Sequence, residues 1–217
     1  MLTSKRLQQI SLTGLLLATP YLCAKDGFFV GGELGFGYVQ KSIPEGNTKY
    51  TYGIDYGVHY GARAGYLHTF SYDDSLRIYA SAALSNLFPV TGALSSDGYS
   101  KKIGFGYKYD LNVDYIYNLI KSQDTQAGIY GGVFAGYSQW DGRYYDANGQ
   151  EVKSKQEIRK GLGYGLNLGM TIIRDSHIVD FGMKIPLGGP NIKLSSANNR
   201  EKSWKNGNVG FAYSYLF

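Results

Sequence analysis

Residues 103–117 read IGFGYKYDLNVDYIY, and this stretch decides the fold class of the chain. Its odd-numbered positions all carry large apolar or aromatic side chains, whereas its even-numbered positions carry Gly, Lys, Asp or Asn, apart from Ile116. A helix would mix the two sets around its circumference, but a strand points successive side chains to opposite faces. The stretch is therefore predicted to be a strand with one apolar face. At about 3.3 Å per residue it would reach about 50 Å, which suits a tilted strand that crosses a bilayer and projects beyond it.

The same alternation occurs seven more times, which predicts eight strands. In the sixth strand, Leu162, Tyr164 and Leu166 face one way, and Gly161 and Gly163 face the other. Glycine weakens a strand, so its concentration on one face is explained by the small volume inside a narrow barrel. A soluble sandwich would point its large apolar residues inward and its charges outward. The sequence therefore predicts an all-β fold, an eight-stranded antiparallel up-and-down transmembrane β-barrel. The predicted strands are residues 28–39, 56–69, 75–87, 103–117, 126–139, 158–173, 177–187 and 207–217.

The connections between the predicted strands alternate in length. The short ones are residues 70–74, 118–125 and 174–176, and they are rich in residues that satisfy their own backbone locally. The long ones are residues 40–55, 88–102, 140–157 and 188–206. Outer-membrane barrels have short periplasmic turns and longer extracellular loops, so the alternation predicts both chain ends in the periplasm and four loops outside.

Composition excludes several other classes of protein. The chain has 217 residues, with 30 Gly, 21 Tyr and a single Cys, and its net charge is +5. That mild excess falls short of a nucleic-acid binder's concentrated basic stripe, so no nucleic-acid partner is predicted. One Cys excludes a disulfide framework and a Cys-based zinc cluster, and no metal or other cofactor is predicted. Outside the N-terminus, no stretch approaches the roughly 20 consecutive apolar residues of a spanning helix.

The N-terminus is typical of a secretory signal. Lys5 and Arg6 give a positive start, residues 10–18 are mostly apolar, and Pro20 ends that run ahead of a small residue, Ala24. We expect residues 1–24 to be a cleaved signal peptide and residues 25–217 to form the barrel domain. A lipid anchor on Cys23 is the rival interpretation, although the residues just before it lack the small side chain that lipoprotein signals carry there.

The two ends of the mature chain carry a family resemblance. Alternate positions of the last nine residues are apolar or aromatic, and the run finishes on an aromatic: Val209, Phe211, Tyr213, Tyr215 and Phe217. This resembles the terminal β-signal of bacterial outer-membrane barrels, which implies recognition of these residues by the barrel-assembly machinery. The opening strand, residues 27–40, resembles that of the small OmpA/OmpX-like barrels. Because the chain ends at Phe217, the resemblance does not imply the peptidoglycan-binding domain of OmpA.

The polar strand faces place charged side chains of both signs inside the predicted barrel. An eight-stranded barrel is just wide enough for side chains to fill it, so these charges are expected to pair into a plug. Outward aromatic residues near the strand ends are interpreted as interfacial girdles: Tyr38, Tyr66, Tyr117, Trp140 and Trp204. The predicted lumen residues are Glu33, His59, Arg63, Arg77, Lys108, Asp110, Asp114, Arg159, Asp180 and Lys184.

Enzymatic activity is not predicted. A hydrolase needs a nucleophile and a positioned base, and the three histidines are His59 on the lumen face, His68 near a short turn and His177 at the start of the seventh strand. The chain has no Gly-x-Ser-x-Gly elbow, and the His-x-Ser pattern of lipid A deacylases is missing.

The leading hypothesis is therefore a non-enzymatic, monomeric scaffold in the outer membrane of a Gram-negative bacterium. It would serve membrane integrity, surface interaction or adhesion through its loops. The main alternative is a narrow low-conductance pore, in which a pair such as Glu33 and Arg63 changes partners to admit ions. A lipid A-modifying enzyme is the third. The expected partners are outer-membrane lipids, lipopolysaccharide phosphates bound by basic loops, the assembly machinery, and a host or phage surface ligand.

Overall fold

In a computed structural model, the protein is a single antiparallel sheet that closes on itself. The structure describes residues 26–45, 48–71, 73–89, 100–122, 124–145, 150, 157–189, 191–193 and 201–217. The predicted signal peptide, residues 1–24, lies outside these ranges. Within the described ranges the regular secondary structure is all strand, and no helix is long and apolar enough to cross a membrane.

Each long strand pairs with the next along the chain, and the last pairs back with the first. A three-residue strand, β8, pairs only with the start of β9 and does not take part in closure. The prediction of a closed, eight-stranded antiparallel barrel is therefore confirmed. The strands are β1 Gly27–Glu45, β2 Thr48–Thr69, β3 Asp74–Pro89, β4 Ser100–Lys121, β5 Thr125–Tyr145, β6 Glu157–Arg174, β7 His177–Gly188, β8 Asn191–Lys193 and β9 Glu201–Leu216.

Several strands are longer than predicted, and the largest difference is at residues 40–55. This stretch was expected to be a long loop, but β1 and β2 stay paired as far as Glu45 and Thr48, so only residues 46–47 separate them. The alternation of large residues in fact continues upstream of Tyr56 through Ile54, Tyr52 and Tyr50, so the sequence carried a signal for the longer β2 that the prediction did not use. The residues of β1 after Gln40 carry no such alternation. Most of the other three long connections lies outside the described residues.

The two faces of the wall are assigned as the alternation predicts. Leu162 and Phe28 are 76% and 70% exposed on the outside, whereas Arg77 and Asp114 on the inside are fully buried. Apolar side chains thus cover the outer wall and charged ones fill the interior. This is the reverse of a soluble sandwich.

Large aromatic side chains also point inward, and the sequence analysis missed them. Trp140, predicted to be an outward girdle residue, shares the inner face of β5 with Phe134 and lines an internal cavity beside it. Its ring lies against Gly106, where a Cβ atom would overlap it. The lumen can hold such rings because the facing positions are glycine: the Phe134 ring lies on Gly165 in the same way.

Three of the other predicted girdle residues lie on the outer face. Tyr66 and Tyr117 are 40% and 46% exposed near the end that carries the short turns, which we call the short-turn end. Tyr38 lies half-buried against Gly207 towards the opposite end, which we call the loop end. The side chain of Trp204 is outside the part of the structure that can be described.

An apolar layer closes the lumen at the short-turn end. Its members come from every long strand except β5, which adds the partly buried Tyr130. The interior of the barrel at this level is therefore a packed core. The layer consists of Phe29, Leu67, Tyr79, Ile116, Ile173, Ile178 and Leu216.

Candidate functional site

The candidate site is a set of charged side chains in the barrel lumen, immediately above the apolar layer. The wall brings together residues from five strands, β1, β2, β3, β4 and β7, whose inward positions fall at similar heights. We call this set the lumen network. It consists of the predicted residues Glu33, Arg63, Arg77, Lys108, Asp110, Asp114, Asp180 and Lys184. His59 joins it, whereas the side chain of Arg159 is outside the described part of the structure.

Arg77 is the centre of the lower part of the network, the part next to the apolar layer. Its guanidinium Nη1 donates to Asp180 Oδ2 at 2.8 Å and its Nη2 donates to Asp114 Oδ2 at 2.9 Å. Arg63 also donates to Asp180, and its Nε donates to Ser214 Oγ at 2.8 Å. These groups are buried, so the charges are held in place by mutual pairing in a poorly hydrated interior.

Asp110 is the centre of the upper part. Lys184 Nζ donates to its Oδ2 at 2.9 Å, and Lys108 Nζ lies 3.0 Å from the same oxygen. Lys184 also donates to Ser81 Oγ at 3.1 Å. Two ammonium groups therefore share one carboxylate at this level. The Lys108 ammonium lies 4.2 Å from the centre of the Phe134 ring, a cation–π distance that offsets part of the cost of burying its charge.

Glu33 pairs with His59 rather than with Arg63. His59 Nε2 lies 3.0 Å from Glu33 Oε1 and 2.7 Å from the Asn208 side-chain nitrogen, and its Nδ1 lies 2.9 Å from Ser85 Oγ. The Glu33–Arg63 pair considered for a pore does not form. In the pairing of β1 with β2, Glu33 lies opposite Gly61, two residues before Arg63. The Arg63 side chain instead reaches across the lumen to the carboxylate of Asp180 on β7.

The lumen network is balanced in charge. It holds four cations and four carboxylates, so with His59 neutral the formal charges sum to zero. Aromatic rings also contact the buried cations: the Arg77 guanidinium lies 4.9 Å from the centre of the Tyr130 ring and 5.2 Å from that of the Tyr79 ring. Paired, stacked and buried charges of this kind are typical of a fixed interior rather than of an open aqueous channel.

Small cavities lie inside the described part of the lumen. One, of about 50 Å³, lies among Glu33, His59, Arg63, Lys184 and Asn208, and has room for a few water molecules. Another, of about 10 Å³, is nearer the loop end, between Lys108, Phe134 and Trp140. They are separate, and the apolar layer lies below both.

The histidines do not form an accessible catalytic site. Ser85, His59 and Glu33 are hydrogen-bonded in a row, which resembles a nucleophile, a base and an orienting carboxylate. Ser85, however, is 4% exposed, and it is not among the residues that line the lumen cavities described above. His68 pairs with Asp26, and His177 contacts a tyrosine hydroxyl, both at the short-turn end. Among the described residues, no three His, Cys, Asp or Glu side chains are grouped to hold a metal ion.

Several solved structures resemble the chain at low sequence identity. The chain is 13% identical to Neisserial surface protein A, with a TM-score of 0.42 over 88% of this chain and 97% of that one. It is 14% identical to OprG from Pseudomonas aeruginosa, with a TM-score of 0.40 over 89% and 98%. It is also 14% identical to Ail, the attachment invasion locus protein of Yersinia pestis, with a TM-score of 0.34 over 87% and 99%. No curated protein matches the sequence.

A sequence-family comparison gives a more direct assignment. The model of the Helicobacter outer membrane protein family matches residues 56–217, which are 162 of the 217 residues. The match runs from β2 to the end of β9 and so includes seven of the eight long strands and most of the lumen network. The chain therefore belongs to the Helicobacter outer membrane protein family.

Proposed function

We propose that the protein is a non-enzymatic scaffold of the outer membrane, in which a sealed and rigid barrel displays its extracellular connections. These would serve membrane integrity, surface interaction or adhesion. The observation that carries the proposal is the filled lumen. The apolar layer closes one end, and the balanced lumen network occupies the middle. A wall braced in this way from inside is suited to holding loops in fixed positions.

The proposed partners follow from the outer surfaces. The apolar wall contacts outer-membrane lipids, and basic residues in the long connections bind lipopolysaccharide phosphates. The aromatic face of β9, ending at Tyr215 and Phe217, is recognised by the barrel-assembly machinery. A host or phage ligand binds the loops, and the barrel acts as a monomer. Before assembly, the chain is exported with its signal peptide, residues 1–24.

Removing one connection tests the display function. Residues 194–200 separate β8 from β9, so replacing them with a short Asn-Gly turn should leave the barrel folded. We expect the variant to keep its heat-dependent mobility shift on a gel but to bind lipopolysaccharide more weakly, because the replaced segment carries the cation Arg200. Ser122→Ala, in a short turn at the other end, is the matched control and should keep both properties. Unchanged binding in the loop variant would remove that connection from the proposal.

A narrow pore is the second candidate, and the polar cavity beside Glu33 and Arg63 favours it. Opening a path through the barrel requires moving both Arg77, which fills the lower network, and the apolar layer beneath it. That demand makes the pore the weaker proposal. It predicts an ion flux that changes when Glu33 or Arg63 is replaced.

The absence of catalysis is tested at Ser85, the serine whose hydroxyl is hydrogen-bonded to His59. Ser85→Ala should leave the lipid A mass spectrum of cells that express the protein unchanged from that of wild-type expression. Both spectra should also match cells without the protein. A modification present only with the wild-type protein would instead identify a lipid A-modifying enzyme.

A further inference from the structure

Three polar side chains lie next to one another on the outer wall near the loop end, on β4, β5 and β6. Gln139 of β5 is opposite Tyr107 of β4 on one side and opposite Lys160 of β6 on the other. We call these three residues the polar row. Their side chains are on the outer face, because each has the parity of an exposed apolar or aromatic residue further down its strand: Tyr109, Val133 and Leu162.

The polar row presents hydrogen-bond donors to the outside. The Tyr107 hydroxyl donates to Gln139 Oε1 at 2.6 Å, which holds the amide in place and leaves its NH₂ group as the outward donor. Lys160 is exposed, and within the part of the chain that the structure describes no ion pair or hydrogen bond holds its ammonium group. The next outward residue of β5, Asp141, has contacts of its own. Opposite residues have Cβ atoms about 4.5–5.5 Å apart, so Lys160 and Gln139 can bond the same anion.

The depth of the polar row is that of lipid headgroups. Lys160 and Ile172, the last apolar residue on the outer face of β6, are 12 positions apart. This separation is about 30 Å along the barrel axis, at about 3.3 Å per residue and a tilt of about 40°. An apolar band of about 25 Å that begins at Ile172 therefore ends about 5 Å below Lys160. Because the headgroup region is about 5–8 Å thick on each side, the ammonium group is level with lipid phosphates.

An apolar depression lies in the outer wall below the polar row. Its volume is about 640 Å³, within the range of about 300–1,000 Å³ that is typical of small-molecule sites. The wall is recessed there because the pairing of β2 with β3 places four alanines side by side, with Ala62 opposite Ala82 and Ala64 opposite Ala80. Larger apolar side chains complete the lining, among them Val30, Tyr109, Leu111 and Leu162.

The polar row and the depression together suit an amphiphile with several chains. Tyr109 and Leu162 line the depression two positions below Tyr107 and Lys160 on the same strands, so an anionic head at the row leaves its chains in the depression. The lining residues come from six neighbouring strands, β1 to β6, a width of about 24 Å at about 4.8 Å between strands. Several acyl chains fill such a width side by side, whereas a phospholipid has only two.

We propose that this part of the wall binds one molecule of lipid A, with a phosphate at Lys160 and Gln139 and the acyl chains against the alanines of β2 and β3. The inference rests on the proposed binding of lipopolysaccharide and adds a site on the barrel wall to the one in the loops. Lipid A has both a phosphate and more than two chains, so it uses both parts of the site. A phospholipid leaves part of the depression empty.

Native mass spectrometry of the refolded barrel, residues 25–217 in detergent, measures this binding. The protein is titrated with purified lipid A, with lipid A from which the phosphates have been removed, and with phosphatidylglycerol. We expect one lipid A to bind saturably. The dephosphorylated form should bind about tenfold more weakly or worse, since it lacks the charge-assisted hydrogen bonds. Phosphatidylglycerol keeps a phosphate but has two chains, and it should also bind more weakly than lipid A.

Variants separate the head site from the chain site. Lys160→Gln should weaken lipid A binding by about tenfold or more. Arg174→Gln is the matched control, because it removes the same charge from an exposed position on the same strand at the short-turn end, and it should not change the affinity. Ala80→Phe fills the depression and should weaken lipid A binding while Lys160 is intact. All three positions are on the outer face, so the variants should keep the heat-dependent gel shift.

Equal affinity for lipid A and its dephosphorylated form would overturn the proposal. So would equal affinity for phosphatidylglycerol, or full lipid A affinity in folded Lys160→Gln or Ala80→Phe. The variant that lacks residues 194–200 distinguishes this site from the loops. Weaker binding in that variant alone would place lipopolysaccharide in the loops and contradict the wall site. Weaker binding in Lys160→Gln and Ala80→Phe alone would support the wall site and remove that loop from the proposed function.

Discussion

Replacing Arg77 with Met removes the residue that braces the lower lumen network. Arg77 is fully buried and bonds two carboxylates, Asp114 at 2.9 Å and Asp180 at 2.8 Å. Removing one partner of a buried ion pair costs about 3–5 kcal/mol, because the remaining charge stays buried without compensation. Asp180 keeps its bond to Arg63, so Asp114 bears most of the loss. We expect the free energy of unfolding to fall by about 3–5 kcal/mol.

A double variant separates charge imbalance from lost packing. Arg77→Met with Asp114→Asn leaves three cations and three carboxylates in the lumen network, so balance is restored. The double variant should be more stable than the sum of the two single losses predicts, by about 1–3 kcal/mol. Urea unfolding in vesicles, followed by the gel shift and by tryptophan fluorescence, measures all three proteins.

The control for this prediction is a more exposed ion pair at the short-turn end. His68 Nδ1 lies 2.7 Å from Asp26 Oδ2, and both side chains are partly exposed. His68→Gln should cost no more than about 1 kcal/mol, as exposed pairs do. If Arg77→Met costs no more than His68→Gln, or if the double variant is simply additive, the lumen network does not brace the barrel.

Three further outcomes are expected. Gly182→Ala should destabilise the barrel by about 1–3 kcal/mol, because its methyl group would overlap the Tyr130 hydroxyl, whereas Gly32→Ala, which would meet only a carbonyl oxygen at 3.5 Å, should be nearly neutral in urea unfolding. Ile178→Ala, at a fully buried position of the apolar layer, should cost about 2–5 kcal/mol in the same assay. Phe217→Ala should lower the amount of folded protein in the outer membrane of cells, but not its refolding in detergent, if the β9 aromatic face is an assembly signal.

The outer face of the barrel was predictable because lipid constrains every outward position. A charged residue there is costly, so alternation through Leu111, Val113 and Tyr115 shows directly in the sequence. At inward positions no comparable cost restricts the chemical type of the side chain, and only the volume of the lumen limits its size. Inward Phe134 and Trp140 therefore carry no sequence signature, and Trp140 was assigned to the wrong face by its residue type instead of its parity within β5.

The charged lumen residues were predictable as a set, but not as pairs. Parity alone places Glu33, Arg63 and Asp180 inside, whereas their partners depend on register and on reach across the lumen. Arg63 and Asp180 are 117 residues apart in sequence and meet only because the barrel closes. The sequence predicted five inward cations and four inward carboxylates, and this near balance was the available sign that the charges pair with one another.

The sealed lumen is tested most directly by ion conductance across a planar lipid bilayer. Protein refolded from residues 25–217, verified by its gel shift, is inserted and held under voltage. We predict no discrete current steps, because the apolar layer closes the short-turn end and the buried lumen network fills the middle of the described barrel. Reproducible steps whose size changes in Glu33→Ala or Arg63→Ala would contradict the sealed barrel and favour the narrow pore.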